Sequence, residues 1–306
     1  MKNPATAALI VALAGSILSA TAQTNNEMPS VVEPGAKVEK LAGDFAFTEG
    51  PTCDANGNVF FTDQPNDRIL KWSVDGKLST FKQPAGRANG MFFDAKGNLI
   101  ACADEKTALW SIAPDGKETV ILNEFEGKKL CGPNDVWVAP NGGMYLTDPF
   151  YARSWWDYKT RPQDMEAVYY LSPDRKTFKR VITDYQKPNG IIGTPDGKTL
   201  FVADIQGHKT YGFEIQADGS LANKRLAANA GSDGMTIDSE GNLYLTNDRR
   251  GVRVFDKLAK DLGVIPVPEM PANVSFGGKD HKTLFITART GFYSVRIKNP
   301  GANAAK

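Results

Sequence analysis

The sequence predicts an all-β fold: a six-bladed β-propeller with four-stranded antiparallel blades, its ring closed by an N-terminal strand. Three observations carry this. One segment pattern occurs six times along the 306 residues. Each copy reads as a short strand, a glycine-bearing turn and a second apolar strand. With 29 glycines and 18 prolines the composition is turn-rich, and no heptad or long helical period competes. Hydrophobic residues make up 41% and charged residues 23%, an ordinary globular balance that excludes disorder and low complexity. Thirty-six basic side chains face thirty-five acidic ones, so no basic excess points to nucleic acid.

The chain starts with Lys2, an apolar stretch from Ala5 to Leu18 and then Ala20-Thr21-Ala22. That is a signal peptide over 1–22, cleaved after Ala22, and too short and alanine-rich for a good membrane span. An uncleaved anchor is the alternative. A periplasmic or secreted location follows, with no membrane contact after cleavage. Residues 23–35 are expected to be a flexible segment. Residues 36–298 form the propeller, and 299–306 a C-terminal tail. Cys53, Cys102 and Cys131 are an odd set without CxxC spacing; they read as small buried hydrophobes, with one disulfide as the lesser option.

The six copies begin at Glu49, Asn89, Asn134, Asn189, Asp233 and Asn273, 40 to 55 residues apart. Asn89-Gly-Met-Phe-Phe-Asp-Ala-Lys-Gly-Asn-Leu-Ile-Ala-Cys-Ala-Asp104 is typical. A third alternating strand usually follows, as in Arg68–Ser73 and Gly251–Phe255, then another turn and a fourth strand. Four strands per period is a propeller blade. The sixth copy runs out of chain after Gly291–Ile297, and Ala36–Leu41 has no partner before the first copy. Ala36–Leu41 is therefore expected to close the sixth blade, since an unclosed ring leaves an exposed edge.

The first strand of each blade lines the central channel, so the six starting residues converge at one mouth. All are acidic or amide side chains. Such oxygen donors suit calcium or magnesium, and the lack of histidine and cysteine argues against a dedicated zinc site. The charges of Glu49 and Asp233 balance a divalent cation. The competing reading is that Asn-Gly and Asp-Gly simply mark turns, which fails for Glu49-Gly-Pro.

Glu49-Gly-Pro51, Gly132-Pro-Asn134-Asp135, Pro188-Asn189-Gly190 and Ser232-Asp233-Gly234 resemble the senescence marker protein/gluconolactonase/regucalcin-like family, in order on four blades. The stretch from Phe125 to Pro149 looks most like its bacterial gluconolactonase branch. The resemblance implies a six-bladed propeller with a divalent metal in the channel, most simply Ca2+, with Mg2+, Mn2+ or Zn2+ as options. By motif match the metal ligands fall on Glu49, Asn189 and Asp233, and Asn134 touches metal or substrate. Two positions depart: Gly132 stands where the regucalcin branch has a sugar-binding arginine, and Thr236 where the family's more distant member, diisopropyl fluorophosphatase, has an acidic residue.

The implied activity is metal-dependent opening of a lactone ring, most simply a sugar lactone, acting on a small-molecule substrate in a chain taken as a monomer. Asp233 is the candidate base, with a nucleophilic role as runner-up. No Gly-x-Ser-x-Gly, His-Glu-x-x-His or phosphate loop offers another chemistry. The alternatives are a metal-dependent hydrolase of other esters or organophosphates, and a non-catalytic binding module. Loops after the second strands share the ligand face and carry Asp63, Asp104, Asp148, Asp204 and His208, mostly as rim or turn residues. Asn89, Asp148, His208, Trp155 and Trp156 are the expected substrate contacts. The long loop from Pro149 to Met165 is the expected lid, with at least one of the two tryptophans covering the pocket and both packed on the rim as the alternative.

Overall fold

The computed structural model describes Met1 and residues 28–302. The expected signal peptide lies almost entirely outside them. Six four-stranded antiparallel sheets follow one another as propeller blades. Blade 1 comprises Thr48–Cys53, Val59–Asp63, Arg68–Trp72 and Leu78–Lys82. The inner strands of blades 2 to 6 are Ala88–Phe93, Val136–Val138, Pro188–Gly193, Met235–Ile237 and Pro271–Gly277. Helical structure in the described residues is limited to two short 3-10 turns, Gln64–Asn66 and Asp104–Lys106. None of the described helices is long and apolar enough to cross a membrane.

Burial follows the position of each strand in its blade. Second strands such as Val59–Asp63, Leu99–Ala103 and Met144–Asp148 are buried along their whole length, because neighbouring blades cover both faces. Outer strands such as Glu118–Leu122 are largely exposed. The far turns repeat Asp-x-x-Gly-Asn. Asp54, Asp94 and Asp238 each accept the backbone N–H groups two and four residues on and the side-chain amide of Asn58, Asn98 or Asn242, at 2.8–3.0 Å. This fixes the tight connection from inner to second strand.

The ring closes as expected, by Glu39–Ala42 pairing with Gly291–Arg296 at the edge of blade 6. The flexible segment and the C-terminal tail expected to flank the propeller both touch it where they are described. Val31 and Val32 are buried at 6% and 4%, and Val32 bridges Ile297. Their apolar side chains join the cluster between blades 5 and 6, so this part of the segment is packed on the propeller, while Pro34 and Gly35 are exposed. Gly301 bridges Asp238, and the Ala302 N–H reaches the Ile237 carbonyl at 2.9 Å. The propeller thus extends to Ala302. All three cysteines are free thiols, Cys53 half-buried and the others buried.

Candidate functional site

The ring residues sit at breaks in the strand register. The pairing of inner with second strand shifts between Glu49 and Thr52, between Ala88 and Met91, and between Pro188 and Ile191. In blades 3 and 5 the strand starts only at Val136 and Met235, after Asn134 and Asp233. A bulge re-aims a side chain and frees backbone groups. Threonines of the second strands take these up. Asp135 and Gly234 donate their N–H groups to Thr147 and Thr246 Oγ1 at 3.1 and 2.8 Å, and Thr246 Oγ1 donates to the Ala272 carbonyl of the next blade at 2.6 Å.

The glycines after Glu49, Asn89, Asn189 and Asp233 do not mark turns. A Cβ on Gly50 would lie 2.0 Å from the Asn89 carbonyl oxygen, and one on Gly90 2.2 Å from Asp135 Oδ1. On Gly234 it would lie 1.9 Å from the Asn273 amide carbon. Adjacent blades approach so closely around the ring that only hydrogen fits. This replaces the turn reading of Asn-Gly and Asp-Gly.

One ring member is corrected. Val136 pairs with Leu146 and Val274 with Ile286, each just before the threonine of its second strand. Asn273 therefore aligns with Asp135, one residue further into the channel, and Ala272 holds the ring position of blade 6. The ring proper is Glu49, Asn89, Asn134, Asn189 and Asp233. Asp135 is the residue that motif reading left without a role. The signal was its breaking of the glycine rule: blade 3 has Asn-Asp where four other blades have a glycine.

Glu49, Asn89, Asn134 and Asn189 are buried, at 4%, 3%, 7% and 0%, and Asp233 is half-buried. Asn189 Nδ2 donates to Asp233 Oδ1 at 2.7 Å and to the Tyr151 hydroxyl at 3.0 Å. Its Oδ1 is buried and has no partner among the described residues. Glu49 Oε2 accepts the Gly50 N–H at 2.8 Å. Burial pushes the Glu49 carboxyl well above the usual range, and the charges of Asp233 and Asp135 push it further. Burial also takes Asp135 up to about 8 and Asp233 up to about 6, the latter against the Asn189 hydrogen bond and the Arg153 charge.

Carboxylates so placed repel one another, and a bound cation would relieve the repulsion. Among the described residues no three histidine, cysteine or acidic side chains gather as a metal cluster. The available donors are Glu49, Asp233 and the amide oxygens of Asn134 and Asn189. The unpartnered Asn189 oxygen fits that role, since a buried acceptor left unmet costs about 1–3 kcal/mol.

Asp148, an expected substrate contact, and two expected rim residues, Asp63 and Asp204, hold backbone groups instead. Asp148 is fully buried, and its two oxygens accept the N–H groups of Cys131 and Gly132 at 2.8 Å each. Asp204 clamps Gln186 and Lys187 in the same way, at 3.0 Å each, whereas Asp63 takes the N–H groups of Ala46 and Phe47 on Oδ1 alone, at 3.0 and 3.2 Å. These carboxylates fasten the chain entering each blade, so they are not rim residues. Asp104 differs. Ala103 pairs with Ala88 as Asp63 pairs with Thr48, so Asp104 takes the place of Gln64. His208 is exposed with a left-handed φ of 53° in the turn after Asp204, and the structure does not bring it to the ring.

The two tryptophans divide. Trp156 is 5% exposed. It donates Nε1–H to the Asp104 carbonyl at 3.0 Å and stacks on Tyr158 with centroids 4.9 Å apart. It anchors the loop and is not a substrate face. Its ring also explains Gly132, where a Cβ would lie 2.4 Å from it; no arginine fits there. Trp155 is half-buried, with the Arg87 and Arg153 guanidinium groups 4.8 and 5.5 Å from its ring centroid. Arg153 Nε donates to Asp104 Oδ2 at 2.8 Å.

Fold and site together define a six-bladed propeller with a ring of oxygen donors at one mouth of its channel. Residues 47–290 match the family described as the SMP-30/Gluconolactonase/LRE-like region. The chain belongs to this family. It is 27% identical over 318 residues to a gluconolactonase of Zymomonas mobilis, an alignment covering 94% of this chain and 88% of the relative. It is also 27% identical over 289 residues to the diisopropyl-fluorophosphatase of Loligo vulgaris, covering 85% and 90%. The solved structure of a gluconolactonase from Xanthomonas campestris superposes with a TM-score of 0.81 at 27% identity, covering 87% of this chain and 91% of that one.

Proposed function

We propose that the protein is a divalent-cation-dependent hydrolase that opens a lactone ring, with a sugar lactone as substrate and calcium as the favoured cation. The observation that carries this is the buried, unpartnered Asn189 Oδ1 beside two carboxylates that repel each other. Family membership and relatives named as lactonases support the reaction class. Glu49, Asn134, Asn189 and Asp233 would hold the cation, which when bound polarises a carbonyl oxygen and acidifies water. Asp233 then acts through the carboxylate oxygen not held by Asn189. It takes the proton of the attacking water and returns it to the ring oxygen as the C–O bond breaks. Asn189 and Tyr151 keep that carboxylate oriented.

The signal peptide over 1–22 supports work in the periplasm or outside the cell. Proton release from a panel of lactones, with chelator and then with calcium restored, tests the proposal; activity indifferent to chelator on every substrate would overturn the metal role. The fluorophosphatase relative favours a second reading, organophosphate hydrolysis at the same ring, and including diisopropyl fluorophosphate in the panel separates the two.

A further inference from the structure

We propose that Arg153, Tyr151 and Trp155 form a hydroxyl-binding corner beside the ring, which selects neutral polyhydroxylated lactones over unsubstituted ones. This rests on the lactonase reading of the same site and names the residues that would read the substrate's hydroxyl groups. The corner joins the ring directly, because the Tyr151 hydroxyl accepts the Asn189 Nδ2–H at 3.0 Å. The Arg153 guanidinium lies 5.6 Å from the Tyr151 ring centroid and 5.5 Å from that of Trp155. Asp104 holds it by Nε at 2.8 Å, so the planar fork is oriented in advance.

Much hydrogen-bonding capacity in this corner is unspent. Among the described residues no hydrogen bond uses either terminal nitrogen of Arg153, which remains partly exposed at 22% of its side chain. The Tyr151 hydroxyl keeps its own proton to donate. Asp104 Oδ1 and Trp155 Nε1 are buried without partners; one needs a donor and the other an acceptor. A hydroxyl group supplies both, and an alkyl substituent supplies neither. Lifting of the loop that carries Trp155 would open these two atoms to a ligand.

Charge decides between neutral and anionic substituents. Each cation of the corner is already paired: Arg153 with Asp104 at 2.8 Å, Arg87 with Glu105 at 3.4 Å, and Lys187 with Glu166 at 3.1 Å. Glu49 and Asp233 balance the divalent cation proposed for the ring, so the ring adds no net positive charge either. The corner therefore offers donors without net positive charge, which suits a neutral polyol and disfavours a carboxylate or phosphate substituent.

The test compares D-glucono-δ-lactone with δ-valerolactone, which has the same ring without hydroxyls. In Arg153→Met the ratio of kcat/KM for the two should fall at least tenfold, and in Tyr151→Phe about threefold, with the loss in KM. An equal loss on both lactones, or an unchanged ratio, overturns the proposal. Binding of D-glucitol to the calcium-loaded protein, read by tryptophan fluorescence, is independent of turnover. If the wild type opens neither lactone, the lactonase reading falls and the corner is judged on glucitol alone. It stands if Arg153→Met weakens glucitol binding at least tenfold. It falls if both proteins bind equally or the wild type binds none. Thermal midpoints confirm that the variants are folded.

Discussion

Asn189 holds Asp233 through its amide nitrogen at 2.7 Å and leaves its amide oxygen buried without a partner. One contact thus orients the candidate base and presents a free oxygen donor beside it.

Glu49→Gln and Asp233→Asn each remove one of the ring's mutually repelling carboxylates. Calcium affinity by calorimetry should fall at least tenfold in both, and lactone turnover should be lost, most completely in Asp233→Asn. In chelator the same variants should unfold at a higher temperature than the wild type, since the repulsion is gone; relief equivalent to one unit of pKa is about 1.4 kcal/mol. Normal calcium binding with near-full turnover in Asp233→Asn would remove the residue from the mechanism.

Metal-free protein should lose stability as pH rises. Asp135 is pushed up to about 8 and Asp233 to about 6, and Glu49 is raised as well. An unfolded aspartate titrates near ~3.9, so the folded chain keeps protons that the unfolded chain has released. This stabilisation is complete below about pH 4 and is lost through the folded values, by up to about 1.4 kcal/mol per pH unit for each group. Urea midpoints in chelator should be lower at pH 8 than at pH 5.5. Calcium should flatten the trend, because a cation favours the ionised carboxylates.

Asp148→Asn should cost stability and not catalysis. The amide leaves one of the two N–H groups of Cys131 and Gly132 without an acceptor, a loss of about 1–3 kcal/mol. Denaturant unfolding should record that loss while KM stays at the wild-type value. His208→Ala should alter neither quantity. A large fall in kcat for His208→Ala would call for a histidine mechanism.

Trp156→Ala and Trp155→Ala should differ in kind. Removing the buried anchor should destabilise the protein by about 3 kcal/mol, visible as a lower unfolding midpoint. Removing the half-buried Trp155 should raise KM, by roughly 1 kcal/mol of binding for a lost aromatic contact. Calcium affinity should hold in both, since no ring donor comes from this loop. Unaltered KM in both variants would make the loop structural.

The sequence by itself determined the blade count, the closure of the ring and the convergence of the blade starts. All three follow from local pattern: glycine turns between apolar strands, a fixed period, and a sixth copy lacking its fourth strand. It also placed Glu49, Asn89, Asn134, Asn189 and Asp233 in one ring, because the ring position keeps one type of side chain while its surroundings vary; the resemblance to the family then singled out Glu49, Asn134, Asn189 and Asp233 as candidate metal donors. Tertiary structure decided the rest, because contacts between blades leave no periodic trace. The close approach of neighbouring inner strands, and not a turn, demands the glycines. Strand register moved Asn273 level with Asp135 and Asp104 level with Gln64, shifts of one residue that an ungapped reading of the repeats does not resolve. Whether an aspartate faces substrate or clamps a backbone depends on which N–H groups lie opposite. That is set by how the chain enters each blade, and Asp148, identical in type to Asp233, took the structural role.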